Sequence, residues 1–430
     1  MSQSPFGALF PAASKLALAN YAAVALGLLL TLVATRVLGA DGFGLVALTL
    51  SYPSLIWALS ATKPINVAPR YLSLFHEQGR HEEFGAVCKF GYAIDLATAV
   101  AAALLIGATS GWVAVHIVRQ PELAGLIVIV GISLPFSCLK GTSVAILLST
   151  HRFGWMAAVQ ILEKLLLLVS VSAALIAGYG VAGMVAATAA SQAIHGVVTM
   201  LLAGLLLRAS GFGSWWRSPL ARASEVRREF VRLLGWNYFD STVGGVVEQV
   251  PLMLLGRLSV PGDVGYLHLS RSLVTVASYV ETSLGRVAYQ KLAAVRESAT
   301  PSETRSMLLR WTAREGLAVG ALIFAGIVAL PLAVPLLFGE EFRPMVPGTQ
   351  VLMVSYAMSA VFFWLSAYHY AAGEIATWSL TKALYAGAVL VSGWFLAQGW
   401  GFWGMAVAIS LSRTVWLGSL GGRVLTRLRS

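Results

Sequence analysis

A chain of 430 residues that is 57 % hydrophobic and only 11 % charged is too apolar for a soluble protein, where about 25 % of residues carry charge. The formal charge of +11 comes from 30 Lys and Arg against 19 acidic residues. No basic stripe carries interleaved aromatics, which excludes nucleic acid as a partner, whereas cytoplasmic loops of membrane proteins collect Lys and Arg.

A bilayer core takes about 20 apolar residues per helix. Runs of that size lie at 13–37, 43–63, 86–109, 123–149, 155–177, 181–207, 230–256, 264–290, 312–338, 346–372, 376–397 and 402–424. The first run is too long for the core of a cleavable signal peptide and is expected to remain as a membrane helix. Asp95 interrupts the third. Cys88 and Cys138 sit inside apolar stretches, as small core residues rather than a disulfide framework or a metal site. Between the sixth and seventh runs lies the longest polar stretch, Arg208–Glu229, expected to lie amphipathically on the inner membrane face with Trp215 and Trp216 at the interface. A second polar piece, Arg296–Arg310, joins the eighth and ninth runs. Neither is large enough for a separate catalytic domain.

The twelve runs divide into two copies. Arg36-Val-Leu-Gly-Ala-Asp-Gly-Phe-Gly44 stands over Arg257-Leu-Ser-Val-Pro-Gly-Asp-Val-Gly265 at an offset of 221 residues. Gly178-Tyr-Gly180-Val-Ala-Gly183-Met184 stands over Gly399-Trp-Gly401-Phe-Trp-Gly404-Met405 at the same offset. An offset held across two distant segments points to a duplicated bundle, and such bundles carry cargo through the seam between their halves. The expected fold is an all-α polytopic membrane protein: an N-lobe over 1–207, a linker over 208–229 and a C-lobe over 230–430. Both Gly-x-Gly-x-x-Gly turns fit the dinucleotide fingerprint, but that motif carries meaning only after a strand in a βαβ unit. Here they read as tight turns between spans.

With the N-terminus inside, the outer side receives only Arg36, Arg119, Arg257 and Arg343, and the remaining loop cations fall inside. That asymmetry places both termini in the cytoplasm.

Three segments carry a family resemblance: Thr35-Arg-Val-Leu-Gly-Ala-Asp-Gly-Phe-Gly-Leu-Val-Ala-Leu, Pro335-Leu-Leu-Phe-Gly-Glu-Glu-Phe-Arg-Pro-Met-Val-Pro, and the paired glycine turns. Together with the repeat they resemble the bacterial polysaccharide (O-antigen-type) flippases of the multidrug/oligosaccharidyl-lipid/polysaccharide (MOP) exporter superfamily. The resemblance implies a V-shaped pair of six-helix lobes with alternating access and no enzymatic step. It implies as cargo an undecaprenyl-pyrophosphate-linked oligosaccharide, moved from the inner to the outer leaflet of the cytoplasmic membrane. It also implies polysaccharide polymerase and co-polymerase as partners, and no cofactor beyond sodium or proton coupling. The alternatives within the superfamily are a drug/cation antiporter, whose cavity should be acidic, and a peptidoglycan-precursor flippase, which usually carries two further helices.

Ionisable residues inside spans are the site candidates, since each costs at least about 2.5 kcal/mol to insert. Mid-depth positions hold Asp95, Lys140, Glu163 and Lys164 in the first half and Asp240, Glu248, Arg271, Lys382 and Arg413 in the second. These do not obey the repeat: Arg271 aligns with Leu50, Lys140 with Val361 and Arg413 with Gln192. Arg271, with Lys140, Lys164, Lys382 and Arg413, is expected to line a cavity between the lobes and hold the pyrophosphate. The competing reading pairs Arg271 with Glu248, Lys164 with Glu163 and Lys140 with Asp95. Asn237, Asp240/Ser241, Gly244/Gly245 and Glu248 form one polar helical stripe, ended by Pro251, which should kink the outer end. Asp240, Glu248, Asp95 and Glu163 are the candidates for ion or proton coupling. The late aromatics, among them Phe363, Trp364, Tyr370, Trp378 and Tyr385, suit interface belts, packing or stacking on sugars.

Overall fold

The computed structural model describes residues 5–61, 68–212, 215–219, 224–295 and 300–429, with the side chains of 5–17, 224–234, 236, 237, 277, 279 and 280 outside the description. The described residues form helices and turns, with no strand among them. In chain order the helices are α1 (Pro5–Ser60), α2 (Ala68–Glu77), α3 (His81–Val113), α4 (Ala124–Ser137), α5 (Leu139–Ser149), α6 (Phe153–Ile176), α7 (Gly180–Ala209), α8 (Ser224–Leu258), α9 (Pro261–Val295), α10 (Pro301–Trp311), α11 (Leu317–Phe338), α12 (Val346–Val361), α13 (Trp364–Ala371) and α14 (Ile375–Arg427).

Several predicted spans are bent or fused. Among the described residues seven helices pass on length and apolarity as membrane spans, and the α12–α13 pair, bent by 45°, makes an eighth. Two of these rods are double. α1 breaks at Gly39 (φ 66°) and α14 at Gly401 (φ 51°), a left-handed backbone that glycine adopts without a Cβ clash. The new rod beyond each break begins with a backbone N–H donated to a carboxylate: Ala40 to Glu341 at 2.8 Å and Phe402 to Asp263 at 3.1 Å. Negative charge belongs at a helix N-terminus, where N–H groups lack partners. The two remaining predicted spans, α8 and α9, are 35 residues each but less apolar than these eight.

Two predicted polar pieces take unexpected forms. The segment Arg296–Arg310 is, from Thr300 on, the start of a continuous 38-residue helix reaching Phe338. Thr300 and Glu303 cap it reciprocally, with Pro301 in the first turn. In the linker, Trp215 packs on protein rather than facing a membrane interface, its ring 5.5 Å from Tyr92 of α3. Trp216 is the exposed one, with Arg217 over its ring. The arginines at 222, 227, 228 and 232 lie outside the described residues or side chains. Helix α2 has no counterpart among the predicted runs. Its buried Ala68, Tyr71, Leu72 and Phe75 repeat at helical spacing and pack with Phe84, Cys88, Ile146, Leu207 and Phe212.

The chain divides into two compact units, residues 1–37 with 49–242 and residues 38–48 with 243–430. The first unit packs α3 on α4, α6 on α7, and α4 and α5 on α7. Tyr238 and Thr242 of α8 donate to the carbonyls of Leu59 and Ala58 at the end of α1. In the second unit α11 packs on α12, α12 on α14 and α13 on α9, around a core with Trp364 fully buried and its Nε1 donating to Thr312 at 2.9 Å. The division within α8 falls between Thr242 and Val243, just before Gly244-Gly245.

The repeat is visible in the backbone. Gly180 and Gly401, equivalent positions, both have positive φ (54° and 51°). Within the second unit the equivalent Gly44 and Gly265 meet reciprocally. A Cβ on Gly44 would stand 1.8 Å from the carbonyl oxygen of Pro261, and one on Gly265 would stand 2.4 Å from that of Ala40, the position equivalent to Pro261.

Candidate functional site

The cations of the second half come together inside the second unit. One cavity of about 240 Å³ is lined by Lys382, Arg413, Glu281, Ser359 and Trp378. A second, of about 270 Å³, is lined by Arg271, Glu248, Thr275, Ser278 and Tyr356. Gly244, Val247 and Tyr385 line both. α8 and α9, the more polar of the predicted spans, both present polar groups to these cavities, where such groups are tolerated.

Arg271 is not held by the Glu248 carboxylate. Its guanidinium donates to two backbone carbonyls of α8, Val247 at 3.1 Å and Glu248. In an uninterrupted helix the Val247 carbonyl would accept from residue 251, but Pro251 has no N–H to offer. A half-buried carbonyl without a partner is unfavourable, and the arginine fork supplies one. Pro251 accordingly does not end the helix, which runs on to Leu258. A double-mutant cycle of Arg271→Ala and Pro251→Ala is expected to show coupling of about 1–3 kcal/mol in thermal unfolding, because the alanine at 251 restores the missing donor. Additive effects would mean that the fork does not serve the orphaned carbonyl.

Arg413 lies over the Tyr356 ring, 3.6 Å from its centroid. It donates to Ser359 at 3.2 Å, and Ser359 donates to Glu281 at 2.6 Å. Glu281 thus balances Arg413 through a hydroxyl rather than directly. It was absent from the sequence candidates although it lies inside the eighth run, ten residues and roughly 15 Å along α9 from Arg271. Tyr356 and Ser359 escape sequence reading for a different reason: uncharged side chains in an apolar run carry no signal of which face meets the cavity. Lys382 stands with its Nζ 3.5 Å from the site a Cβ on Gly244 would occupy.

The first unit holds a separate cluster. Lys140 pairs with Glu163, not with Asp95 as the depths suggested. Lys164 and the buried His195 approach the same carboxylate, both at 3.9 Å. His195 Nε2 lies 3.1 Å from the Val159 carbonyl, so that nitrogen carries the proton and donates. Asp95 accepts from the Thr142 hydroxyl at 2.7 Å and is 5 % exposed. Asp240 belongs to the first unit's part of α8, and the Asn237 side chain lies outside the description. Glu163→Gln is expected to lower thermal stability by about 1–3 kcal/mol. That is less than a fully buried pair would lose, because Lys140 is 42 % exposed. An unchanged melting temperature would show that the lysines do not need this counter-ion.

Long apolar helices with glycine breaks between them define a multi-pass membrane protein, and its fold is like that of transporters of the MOP superfamily. The chain resembles an inward-facing multidrug-resistance MATE family transporter of that superfamily (TM-score 0.79, 12 % identity, 94 % of each chain covered). It resembles the lipid II flippase MurJ in its inward closed conformation (TM-score 0.68, 13 % identity, 96 % of this chain and 89 % of that one). It also resembles the Vibrio cholerae MATE transporter VcmN in the bent form (TM-score 0.62, 14 % identity, 97 % of each chain). At these identities the likeness is one of fold. A comparison with curated protein sequences gives no match. The chain belongs to the polysaccharide biosynthesis protein family, which it matches over residues 33–347.

Proposed function

We propose that this protein is a flippase that carries an undecaprenyl-pyrophosphate-linked oligosaccharide from the inner to the outer leaflet of the bacterial cytoplasmic membrane, by alternating access, for O-antigen, capsule or exopolysaccharide synthesis. The observation that carries the reading is the gathering of Arg271, Lys382 and Arg413 around two cavities of the second unit that share a wall. A pyrophosphate in a partly dehydrated cavity gains charge-assisted hydrogen bonds from guanidinium and ammonium groups. A cationic drug would meet repulsion there, which disfavours the antiporter reading. Lys140 and Lys164, which share the carboxylate of Glu163, are the proposed anion-binding groups of the first unit. Of the candidate coupling groups, Asp95 is held by a neutral hydroxyl, so its protonation breaks no ion pair. The polymerase and co-polymerase are the proposed partners.

Reconstituted vesicles test the activity. Lipid-linked oligosaccharide placed in one leaflet should become accessible to an impermeant glycosidase on the other side only when the protein is present. Transport of ethidium without any glycolipid movement would instead establish the antiporter. Orientation has its own test, since the proposal places both termini in the cytoplasm. In intact cells a cysteine replacing Trp216 should escape impermeant thiol reagents and one replacing Glu340 should react; the reverse pattern would invert the topology.

A further inference from the structure

We propose that the second unit carries a carbohydrate subsite, distinct from its cation cluster, in the cavity walled by Glu281, Arg286, Tyr289, Gln290, Phe363 and Tyr370; this rests on the glycolipid reading above. The cavity has a volume of about 560 Å³, within the range of about 300–1,000 Å³ usual for ligand pockets. One wall is a single face of α9, residues 281/282, 285/286 and 289/290, recurring every four positions. The facing wall is Phe363, Ser366, Ala367 and Tyr370, again at helical spacing. The two walls approach closely at Gly285, where an added Cβ would lie 3.5 Å from the Phe363 carbonyl oxygen.

The chemistry of this cavity differs from that of its neighbour. One acid and one base, Glu281 and Arg286, leave it without the charge excess that would select a phosphate. Three rings, Tyr289, Phe363 and Tyr370, supply flat apolar faces, and both tyrosines add a hydroxyl. A pyranose has a flat C–H face and a rim of hydroxyls, and it is matched by rings flanked with carboxylate, amide and guanidinium groups. Position supports the same assignment. Glu281, Phe363 and Ser366 line both this cavity and the one holding Lys382 and Arg413. A ligand whose phosphates rest at those cations places its next residues here, and the next residues of a lipid-linked glycan are sugars.

The test uses the full chain in lipid nanodiscs and two probes, undecaprenyl pyrophosphate and the same carrier bearing one N-acetylglucosamine. The wild type is expected to bind the sugar-bearing probe about tenfold more tightly. Tyr289→Ala and Tyr370→Ala should each erase most of that gain and leave affinity for the bare carrier unchanged, while Tyr289→Phe keeps most of it. Arg413→Ala should weaken both probes alike. Equal binding of the two probes by the wild type, or a loss in the tyrosine variants that falls equally on both, overturns the subsite and leaves the flippase reading standing. Failure of the wild type to bind either carrier overturns the flippase reading itself.

Discussion

Arg271→Ala is expected to abolish glycolipid translocation while the protein still reaches the membrane. The side chain is asked to do two things. Its fork closes the Val247 carbonyl that Pro251 leaves open on α8 and also reaches the Glu248 carbonyl, and its remaining donors face a cavity shared with Glu248 and Tyr356. Arg271→Lys should retain the charge but not the fork, since an ammonium on a flexible stem cannot bridge two carbonyls and an anion in one plane. Translocation in the lysine variant should therefore fall well below what charge alone suggests. The Pro251→Ala background separates the roles. There the helix no longer needs the fork, so Arg271→Ala should recover stability without recovering transport. Wild-type rates in Arg271→Ala, or recovery of transport along with stability, would reduce Arg271 to a structural brace.

Gly44→Ala should be among the most damaging single-methyl changes in the chain. The new carbon would stand 1.8 Å from the Pro261 carbonyl oxygen, a collision with backbone that no side-chain rotation relieves. Two helices must then separate, at or above the roughly 1–3 kcal/mol typical of overpacking. Gly265→Ala, 2.4 Å from the Ala40 carbonyl oxygen, should behave similarly, as the repeat requires. Gly107→Ala is the control: nothing lies within 4 Å of its added carbon, and in a helix interior the change should be neutral or stabilising by about 0.5–1 kcal/mol. Thermal unfolding in detergent reads all three. If Gly44→Ala melts like Gly107→Ala, the close approach of the two repeat segments is wrong.

Several features follow from local chemistry and were legible in the chain. Membrane spans are set by the length of apolar runs against bilayer thickness, so the runs appear as rods even where α1 and α14 fuse them in pairs. The two glycine turns were legible for a related reason: only glycine enters the left-handed region without strain, and Gly180 and Gly401 do so at equivalent positions. Helix α2 was not predicted: Ala68, Tyr71, Leu72 and Phe75 repeat at helical spacing, but its ten residues are too few to cross a bilayer. The family followed from motifs, two of which touch: Ala40, beside the break in α1, donates to Glu341.

The site was legible only in its membership. Counting residues along a helix gives the depth of a charged group, because the rise per residue is constant, and depth brought Lys140 level with both Asp95 and Glu163. Which of them it meets depends on the rotation of each helix about its axis and on which helices are neighbours. Those are set by packing among α3, α5 and α6, and the packing chose Glu163. The same holds for Arg271, which donates to two backbone carbonyls of α8, one of them left open by Pro251, rather than to the Glu248 carboxylate. Composition and periodicity thus determined that this is a membrane bundle, since both depend on residues close in sequence, and the repeat, a fixed register between distant segments, determined that its motifs come twice. Only the tertiary structure decided which charges pair, and that Arg271, Lys382 and Arg413 line cavities with a common wall in the second unit, since those facts depend on how separate helices are turned against one another.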